Sequence, residues 1–400
     1  MEILSPAGNL EKLKYAIKYG ADAVYTAGKE FGLRAQSANL NNNELKEAVN
    51  FCHKNDVKIY VTVNVFAHNS EINKLPSYLE FLDSVGVDAL IISDPGVFVL
   101  AKEHASQIPI HISTQANVTS WKSAEFWKKL GAKRIILARE LTKFEIREIK
   151  KKVPDLELEI FVHGAMCMSY SGRCLLSSFL NGRDANRGNC SQPCRWEYQL
   201  QEKKRPNESF PIEEDKFGTY ILNSKDLCLL DQLPVILDYD IDSIKIEGRM
   251  KSLYYVANVT RTYKSALDAI KTRKDKDNHK LRAELDKISH RVYTEGFFHR
   301  FEAIDTQNHL SSAYIRNYQF IGEIVEQKEN FVYIAVRAKF EIGDKIEIIF
   351  PDIAEDLIVQ VEEIFDEDDN LIKFTKPNTI VKMYIDSDIP IHGIVRMKIK

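Results

Sequence analysis

The sequence predicts an α/β fold: a (β/α)8 TIM-like barrel carrying a Cys-rich insertion, followed by a small all-β barrel domain. Three observations predict it. Short β-branched runs alternate with longer amphipathic stretches over the first 165 residues, four of the six cysteines cluster within 28 positions of one interruption of that rhythm, and the chain beyond about residue 318 alternates with a period of two. Alternating strands and helices imply parallel β-α-β units, whereas closely spaced strands separated by turns imply antiparallel pairing.

The expected barrel strands are EIL (2–4), DAVYTA (22–27), VKIYVTVNV (57–65), ALIIS (89–93), IPIHIST (108–114), KRIILA (133–138) and LELEIFV (156–162). Between them, apolar residues recur at three- and four-residue spacing, as in Leu10, Leu13, Ala16, Ile17 and in Leu45, Ala48, Val49, Cys52, which is the stripe of an amphipathic helix. An eighth run, SIKIEG (243–248), precedes a helix near 253–273. Eight strands fit a closed barrel better than an open doubly wound sheet, and no GxGxxG supports the latter. Residues 1–275 therefore form the expected catalytic barrel, with the insertion at 164–240. A helical or linker segment is expected at 276–317 and the small β-barrel at 318–400. The latter reads as FIGEIVE, FVYIAVRA, DKIEIIF, LIVQVEEIF, LIKFT and GIVRMKIK, with DEDDN (366–370) as a hairpin tip. The turn-rich KKRPNESFPIEEDKFG (203–218) reads as an exposed hairpin or loop.

Composition narrows the class. With 44% hydrophobic and 28% charged residues, the 400-residue chain is globular and of a length for two or three domains. A net charge of −3 argues against a bulk-basic nucleic-acid binder, so any nucleic-acid contact needs a local patch. Six cysteines are too few for a disulfide scaffold. The start MEILSPAGNLEKL lacks the basic and apolar regions of a signal peptide, and no run is apolar enough to span a membrane. A cytoplasmic protein with reduced thiols is expected.

In that compartment, Cys167-x6-Cys174-x15-Cys190-x3-Cys194 points to a metal. Zinc ribbons use close cysteine pairs, and only Cys190 and Cys194 come near that spacing. Iron–sulfur clusters tolerate wider ligand spacing, so a cluster is the first reading, with zinc or redox thiols as alternatives. Cys52, on an apolar helix face, and Cys228, in a Leu-rich run, read as core. Asn64, Gln115, Arg139, His163, Glu247 and Arg249 end or closely follow expected strands, where barrel enzymes place their chemistry.

The run Glu159-x-Phe161-x2-Gly164-Ala165-Met166-Cys167-x4-Gly172-x-Cys174-x-Leu176-Ser177 resembles the signature of the peptidase U32 family at every fixed position. LSPAG near the start, NCSQPCRW (189–196), IKIEGRMKSLYYVA (244–257), HRVYTEGFF (290–298) and FEIGDKIEI (340–348) resemble it as well, so the resemblance spans the chain. It is strongest to the branch that hydroxylates the wobble uridine of tRNA. The resemblance implies oxygen-independent hydroxylation of a nucleobase to 5-hydroxyuridine, with tRNA, or alternatively rRNA, as partner. It also implies prephenate as source of the hydroxyl oxygen, and an iron–sulfur cluster, of 4Fe-4S type, on Cys167, Cys174, Cys190 and Cys194. A homo- or hetero-oligomer with a related U32 protein is a further expectation.

Roles follow for the remaining candidates. A dicarboxylate such as prephenate wants planar two-point donors, and Arg34, Arg139 and Arg249 are the choices. His163 is a candidate proton shuttle, and Glu247 a catalytic carboxylate at the same strand end. Glu159 is expected within strand seven, in a packing or supporting role. Arg183, Arg187 and Arg195, with Trp196 and Tyr198 for stacking, are candidates for RNA, as is a basic cluster of Lys128, Lys129, Lys133 and Arg134. The family's historical name keeps a collagenase-like peptidase as the alternative, and a non-catalytic RNA-binding or assembly module as a third. However, no HExxH or GxSxG motif is present, and a metal-bound thiolate is no free nucleophile.

Overall fold

A computed structural model describes the chain except residues 33–38, 168, 172, 186–188, 196–213, 216–217, 220–224, 274–276, 300–313, 388 and 400. Its internal contacts fall into two units. The first comprises Met1–Ile17, Ala21–Lys251 and Arg291–Tyr314, and the second Lys18–Gly20, Ser252–His290 and Ile315–Lys400.

The first unit is a closed barrel of eight parallel strands: β1 (Glu2–Pro6), β2 (Ala23–Thr26), β3 (Lys58–Val63), β4 (Ala89–Ile92), β5 (Ile110–Ile112), β6 (Arg134–Ile136), β7 (Glu157–Ala165) and β8 (Ser243–Ile246). Each pairs with the next, and β8 closes the ring by pairing with both β7 and β1, in the registers Ser243↔Glu159 and Glu2↔Ser243. Helices α1 (Leu10–Lys18), α2 (Asn42–Lys54), α3 (Leu75–Val85), α4 (Pro95–His104), α5 (Trp121–Leu130), α6 (Lys143–Lys152) and α7 (Leu233–Asp238) follow the first seven strands. Local sequence explains where they start and stop. Asn41 with Glu44 and Thr142 with Glu145 form capping boxes on α2 and α6, Asp94 caps α4 ahead of Pro95, and Gly86 and Gly131 end α3 and α5 in left-handed conformation. Leu4, Ala23, Tyr25, Tyr60, Ala89, Ile91 and Ile136 form one buried cluster of this unit.

Strand β7 is the longest of the eight and positions the insertion. Its end, His163–Ala165, pairs antiparallel with Asp226–Cys228, which in turn pairs with Tyr293–Thr294. The insertion therefore leaves β7 and returns onto it. The expected hairpin near 203–218 lies mostly outside the described residues, but Glu214–Asp215 does pair with Gly218–Thr219.

The second unit holds α8 (Leu253–Lys271), α9 (Asn278–Leu285) and an antiparallel half-barrel. Its strands are β9 (Tyr318–Lys328), β10 (Phe331–Val336), β11 (Lys345–Ile349), β12 (Leu357–Gln360), β13 (Ile380–Tyr384) and β14 (Ile394–Lys398), in the order β12-β11-β14-β9-β10-β13. Its core includes Ile321, Ile324, Ile334, Phe340, Ile348 and Val395. Two details depart from the sequence reading. LIKFT carries only isolated bridges at Leu371 and Phe374, both exposed, and the sixth strand is β13 instead. The segment 252–290, expected to divide between barrel and linker, packs with the half-barrel. The reason lies in α8, which buries Asn258, Thr260, Arg261 and Thr262 as well as its apolar residues. A helix buried nearly all round needs a second layer against it. DEDDN forms the expected turn, with Asp366 receiving backbone donors from Asp368 and Asn370.

Candidate active site

The C-terminal ends of the barrel strands surround a cavity lined by Thr62, Asn64, Gln115, Arg139, Glu247 and Arg249, with Tyr25, Ile91, Ile136, Phe161 and Lys245 inside and Cys167, Cys174 and Cys190 from the insertion. Asn64 follows β3, and its amide donates to the Gln115 side chain at 2.5 Å. Gln115 sits in a single 3-10 turn, Thr114–Ala116, which Ser113 caps and the left-handed Asn117 ends. Arg249 follows β8, is only 5% exposed, and its Nη1 donates to Thr62 Oγ1 at 3.3 Å. The LSPAG turn explains its glycine here: a Cβ on Gly8 would lie 2.1 Å from the Arg249 carbonyl oxygen. Only glycine lets the two backbones approach so closely.

Arg139 follows β6. Its Nη1 donates to Ala165 O at 2.7 Å, its Nη2 to Ser171 Oγ at 2.6 Å, and its guanidinium lies 5.3 Å from the Phe161 ring centroid. All of these partners are neutral, so its charge is available to an anionic ligand.

Below the arginines lies a charged array. Lys245 Nζ is 2.8 Å from Glu159 Oε1 and 4.4 Å from the Tyr25 ring centroid. The other Glu159 oxygen accepts from Arg134 at 3.1 Å, and Arg134 also reaches Glu2 at 2.6 Å and Glu157 at 2.9 Å. Glu2 further accepts from Tyr60 and Ser243. Burial lowers the Lys245 pKa, with Glu159 acting against it. Burial also pushes His111 well below its ordinary value, reinforced by Arg134 and Lys245, so its imidazole stays neutral. With Lys245 answered by Glu159, the cavity wall carries two further cations, Arg139 and Arg249, and one carboxylate, Glu247.

Cys167 is exposed, and Cys174, Cys190 and Cys194 are half-buried; none forms a disulfide. Three of the four line the cavity, and Cys190 Sγ accepts a hydrogen bond from Gln192 N at 3.3 Å. Among the described residues no three His, Cys, Asp or Glu side chains are already drawn together as a metal site.

The structure thus brings Asn64, Gln115, Arg139, Glu247, Arg249, Cys167, Cys174 and Cys190 to one cavity. It does not bring His163 there: that residue is 1% exposed and packs against Tyr293, and the β7–β8 register slips by one residue between Phe161 (paired with Lys245) and His163 (paired with Ile246), which interrupts the alternation that would otherwise keep both on one face. Arg183 is turned to its own loop, donating to Asn189 Oδ1 at 2.9 and 3.1 Å. Arg34 and Arg187 lie outside the described residues, as do Trp196 and Tyr198, and of Arg195 only the backbone is described. The basic cluster is no free cationic face: Arg134 is inside the barrel, and Lys128, Lys129 and Lys133 pair with Asp155, Glu125 and Glu157. Cys52 and Cys228 are buried, and burial raises the Cys52 thiol to about 12. Sequence reasoning missed Lys245, although alternation along β8 places Ser243, Lys245 and Glu247 on one face.

The chain is 40% identical to tRNA hydroxylation protein P1 of Bacillus subtilis (strain 168) over 395 residues, covering 97% of this chain and 92% of that one. It is 40% identical to tRNA hydroxylation protein P of Escherichia coli (strain K12) over 391 residues, covering 88% and 86%. With the 23S rRNA 5-hydroxycytidine C2501 synthase of Escherichia coli (strain K12) it shares 33% identity over 361 residues, covering 87% of this chain and 52% of that one. Residues 8–308 match peptidase family U32, residues 316–396 match the peptidase family U32 C-terminal domain, and the chain belongs to this family.

Proposed function

We propose that this protein hydroxylates a nucleobase in RNA, with the wobble uridine of tRNA as substrate and 5-hydroxyuridine as product. The observation that carries the reading is the convergence of three cysteines and two arginines on one cavity at the C-terminal mouth of the barrel. Relatives named for tRNA hydroxylation and for rRNA 5-hydroxycytidine synthesis support the reaction class.

The donor set fits an iron–sulfur cluster. Four thiols outside disulfides suit soft iron ligation, and a backbone N–H aimed at a cysteine sulfur is the kind of contact that stabilises a thiolate ligand. Cys167, Cys174, Cys190 and Cys194 would hold it, and when bound it supplies electron transfer or a Lewis-acidic iron. The chain's own residues do the rest. Arg139 and Arg249 grip the carboxylates of a prephenate-like cosubstrate, Asn64 and Gln115 offer amides to a polar edge, and Tyr25 and Phe161 wall off water. Glu247, on the same wall, is the group placed to hold or accept a proton.

Mass spectrometry of tRNA nucleosides from a deletion strain tests this. Loss of 5-hydroxyuridine and its derivatives, restored by the wild type but not by Cys174→Ser, is the expected result. Unchanged nucleosides, together with peptide cleavage by metal-free protein, would overturn it in favour of a peptidase. Anaerobically purified protein should also contain iron and acid-labile sulfide; stoichiometric zinc alone would reject the cluster.

A further inference from the structure

We infer that the exposed apolar face of the short helix Leu176–Asn181, led by Phe179, is a stacking surface for an unpaired base of an RNA strand, next to the base that enters the cavity. The inference rests on the RNA reading above and adds the surface that holds the strand.

Phe179 is 81% exposed, and Leu175, Leu180 and Tyr170 of the same segment are each more than two-fifths exposed. Scattered single apolar residues need no explanation, but four exposed within residues 170–180, in the insertion that lines the cavity, do. The group is not a loose end. Ser177 is fully buried, its hydroxyl lies 3.0 Å from that of Ser191, and it accepts from Ser191 N at 3.1 Å. Asn181 donates to Ser191 Oγ at 2.6 Å, and Gly182 ends the helix in left-handed conformation. Two residues along a helix is about 200° of rotation, so anchoring Ser177 inward turns Phe179 outward. Arg183 braces the following turn through Asn189, one residue before Cys190.

Charge identifies the occupant. Between Cys167 and Arg195 the sequence holds four arginines (173, 183, 187 and 195) and one acid, Asp184, a balance of +4 − 1 = +3 in a chain whose net charge is −3. An apolar protein partner has no need of that excess, whereas a polyanion does. Aromatic faces interleaved with arginines are how proteins hold single-stranded RNA, because every base offers a π-face and every nucleotide a phosphate. The surface adjoins the proposed active site along the chain, since Ser171, next to Tyr170, and Cys174, next to Leu175, line the cavity. A base must leave its stack to be modified, and a flanking base held on Phe179 keeps the strand open while it does.

The test compares Phe179→Ala, Phe179→Trp and, as a control, Phe144→Ala, an exposed phenylalanine on α6. Binding is measured by fluorescence anisotropy with an unmodified anticodon stem-loop and with the same stem as a blunt duplex. Phe179→Ala should weaken stem-loop binding by about 5- to 100-fold while Phe179→Trp and the control retain it. Duplex binding should change little, and the KM for tRNA should rise far more than kcat falls. Equal stem-loop affinity for Phe179→Ala and wild type would overturn the inference, as would an equal loss on loop and duplex. A variant that changes oligomeric state by light scattering but keeps RNA affinity assigns the surface to a second copy, and also overturns it. Wild type that modifies RNA beside an unaffected Phe179→Ala sinks only the stacking surface. Wild type that neither binds nor modifies RNA sinks the functional reading with it.

Discussion

Each unit buries an array of arginines and carboxylates, and the two arrays end differently. In the second unit, Arg261 and Arg396 are both fully buried and their donors are consumed internally. Arg261 reaches Asn258, Phe350 O, Glu284 and Asp356, and Arg396 reaches Tyr254, Asn258, Glu284 and Glu347. Nothing is left over for a ligand. In the barrel, Arg134 is equally engaged by Glu2, Glu157 and Glu159, but the array continues to Lys245, and Lys245 lines the cavity. The same chemistry therefore serves two ends. A closed array rivets α8, α9 and the sheet together, whereas an open one sets the charge of a binding site.

The comparison breaks first at Arg396. Arg396→Met removes a buried partner from Glu284 and Glu347, leaving Glu284 to Arg261 and Lys287 and Glu347 to Lys287, so the cost should fall at the lower end of the roughly 3–5 kcal/mol typical of breaking a buried pair. Urea unfolding of the full chain should show a loss of that size; a loss below ~1 kcal/mol would mean the array contributes no such rivet.

Acid sharpens the comparison. Burial alone would raise the Glu284 carboxyl, but the hydrogen bond and charge of Arg396 and the charge of Arg261 hold it down at about 2, against 4.5 for an ordinary glutamate. A folded-state value below the unfolded one contributes stability that is complete above pH 4.5 and lost as pH falls towards 2, on the order of 3 kcal/mol in all. Urea midpoints measured at descending pH should fall across that window, and Glu284→Gln should flatten the fall while lowering stability at neutral pH. An undiminished slope in Glu284→Gln would assign the acid sensitivity to other groups.

The smallest effect on folding, and the most informative on function, is expected at Arg249. Arg249→Lys keeps the charge but loses the planar two-point fork. Losing one charged hydrogen bond of about 1.5–3 kcal/mol should lower cosubstrate affinity roughly ten- to a hundred-fold, with iron content and unfolding midpoint nearly unchanged. Excess prephenate should restore the rate. Equal losses in tRNA affinity and hydroxylation, without rescue, would make Arg249 a phosphate contact instead.

Much of the architecture was legible in the sequence because periodicity encodes it. Six of the eight barrel strands fall within the β-branched runs and β1 and β7 begin in theirs and continue to Pro6 and Ala165, and the strand ends that follow them carry Asn64, Gln115, Arg139, Glu247 and Arg249 to the cavity. The cysteine spacing marked the loop whose Cys167, Cys174 and Cys190 line that cavity. What stayed hidden depends on pairing between distant residues. Nothing in the run KRIILA shows that Arg134 turns inward to meet Glu2 and Glu159, and a surface lysine cluster was the natural reading until β5, β6 and β7 were side by side. His163 was misplaced for a related reason: two residues beyond Phe161 it should share that residue's face, but the β7–β8 register slips between them, a bulge that no single run of sequence shows. LIKFT alternates as a strand should, yet its Leu371 and Phe374 face solvent, and β13 takes the sheet edge.

The return of the insertion onto β7 has a consequence for how such a protein can change. Ala165 and Asp226 are directly paired, so the whole excursion between them begins and ends on adjoining rungs of one ladder. To the barrel, that excursion is a tethered appendix whose length barely registers: doubling a flexible loop adds only about 0.6 kcal/mol of closure entropy. Closure of the barrel therefore does not depend on the length of the excursion, although its Cys167, Ser171, Cys174 and Cys190 line the cavity. Excursions of other lengths can be seated on the same two rungs while the charged array beneath stays where it is, provided the stretch through Ser171, which holds Arg139, is kept.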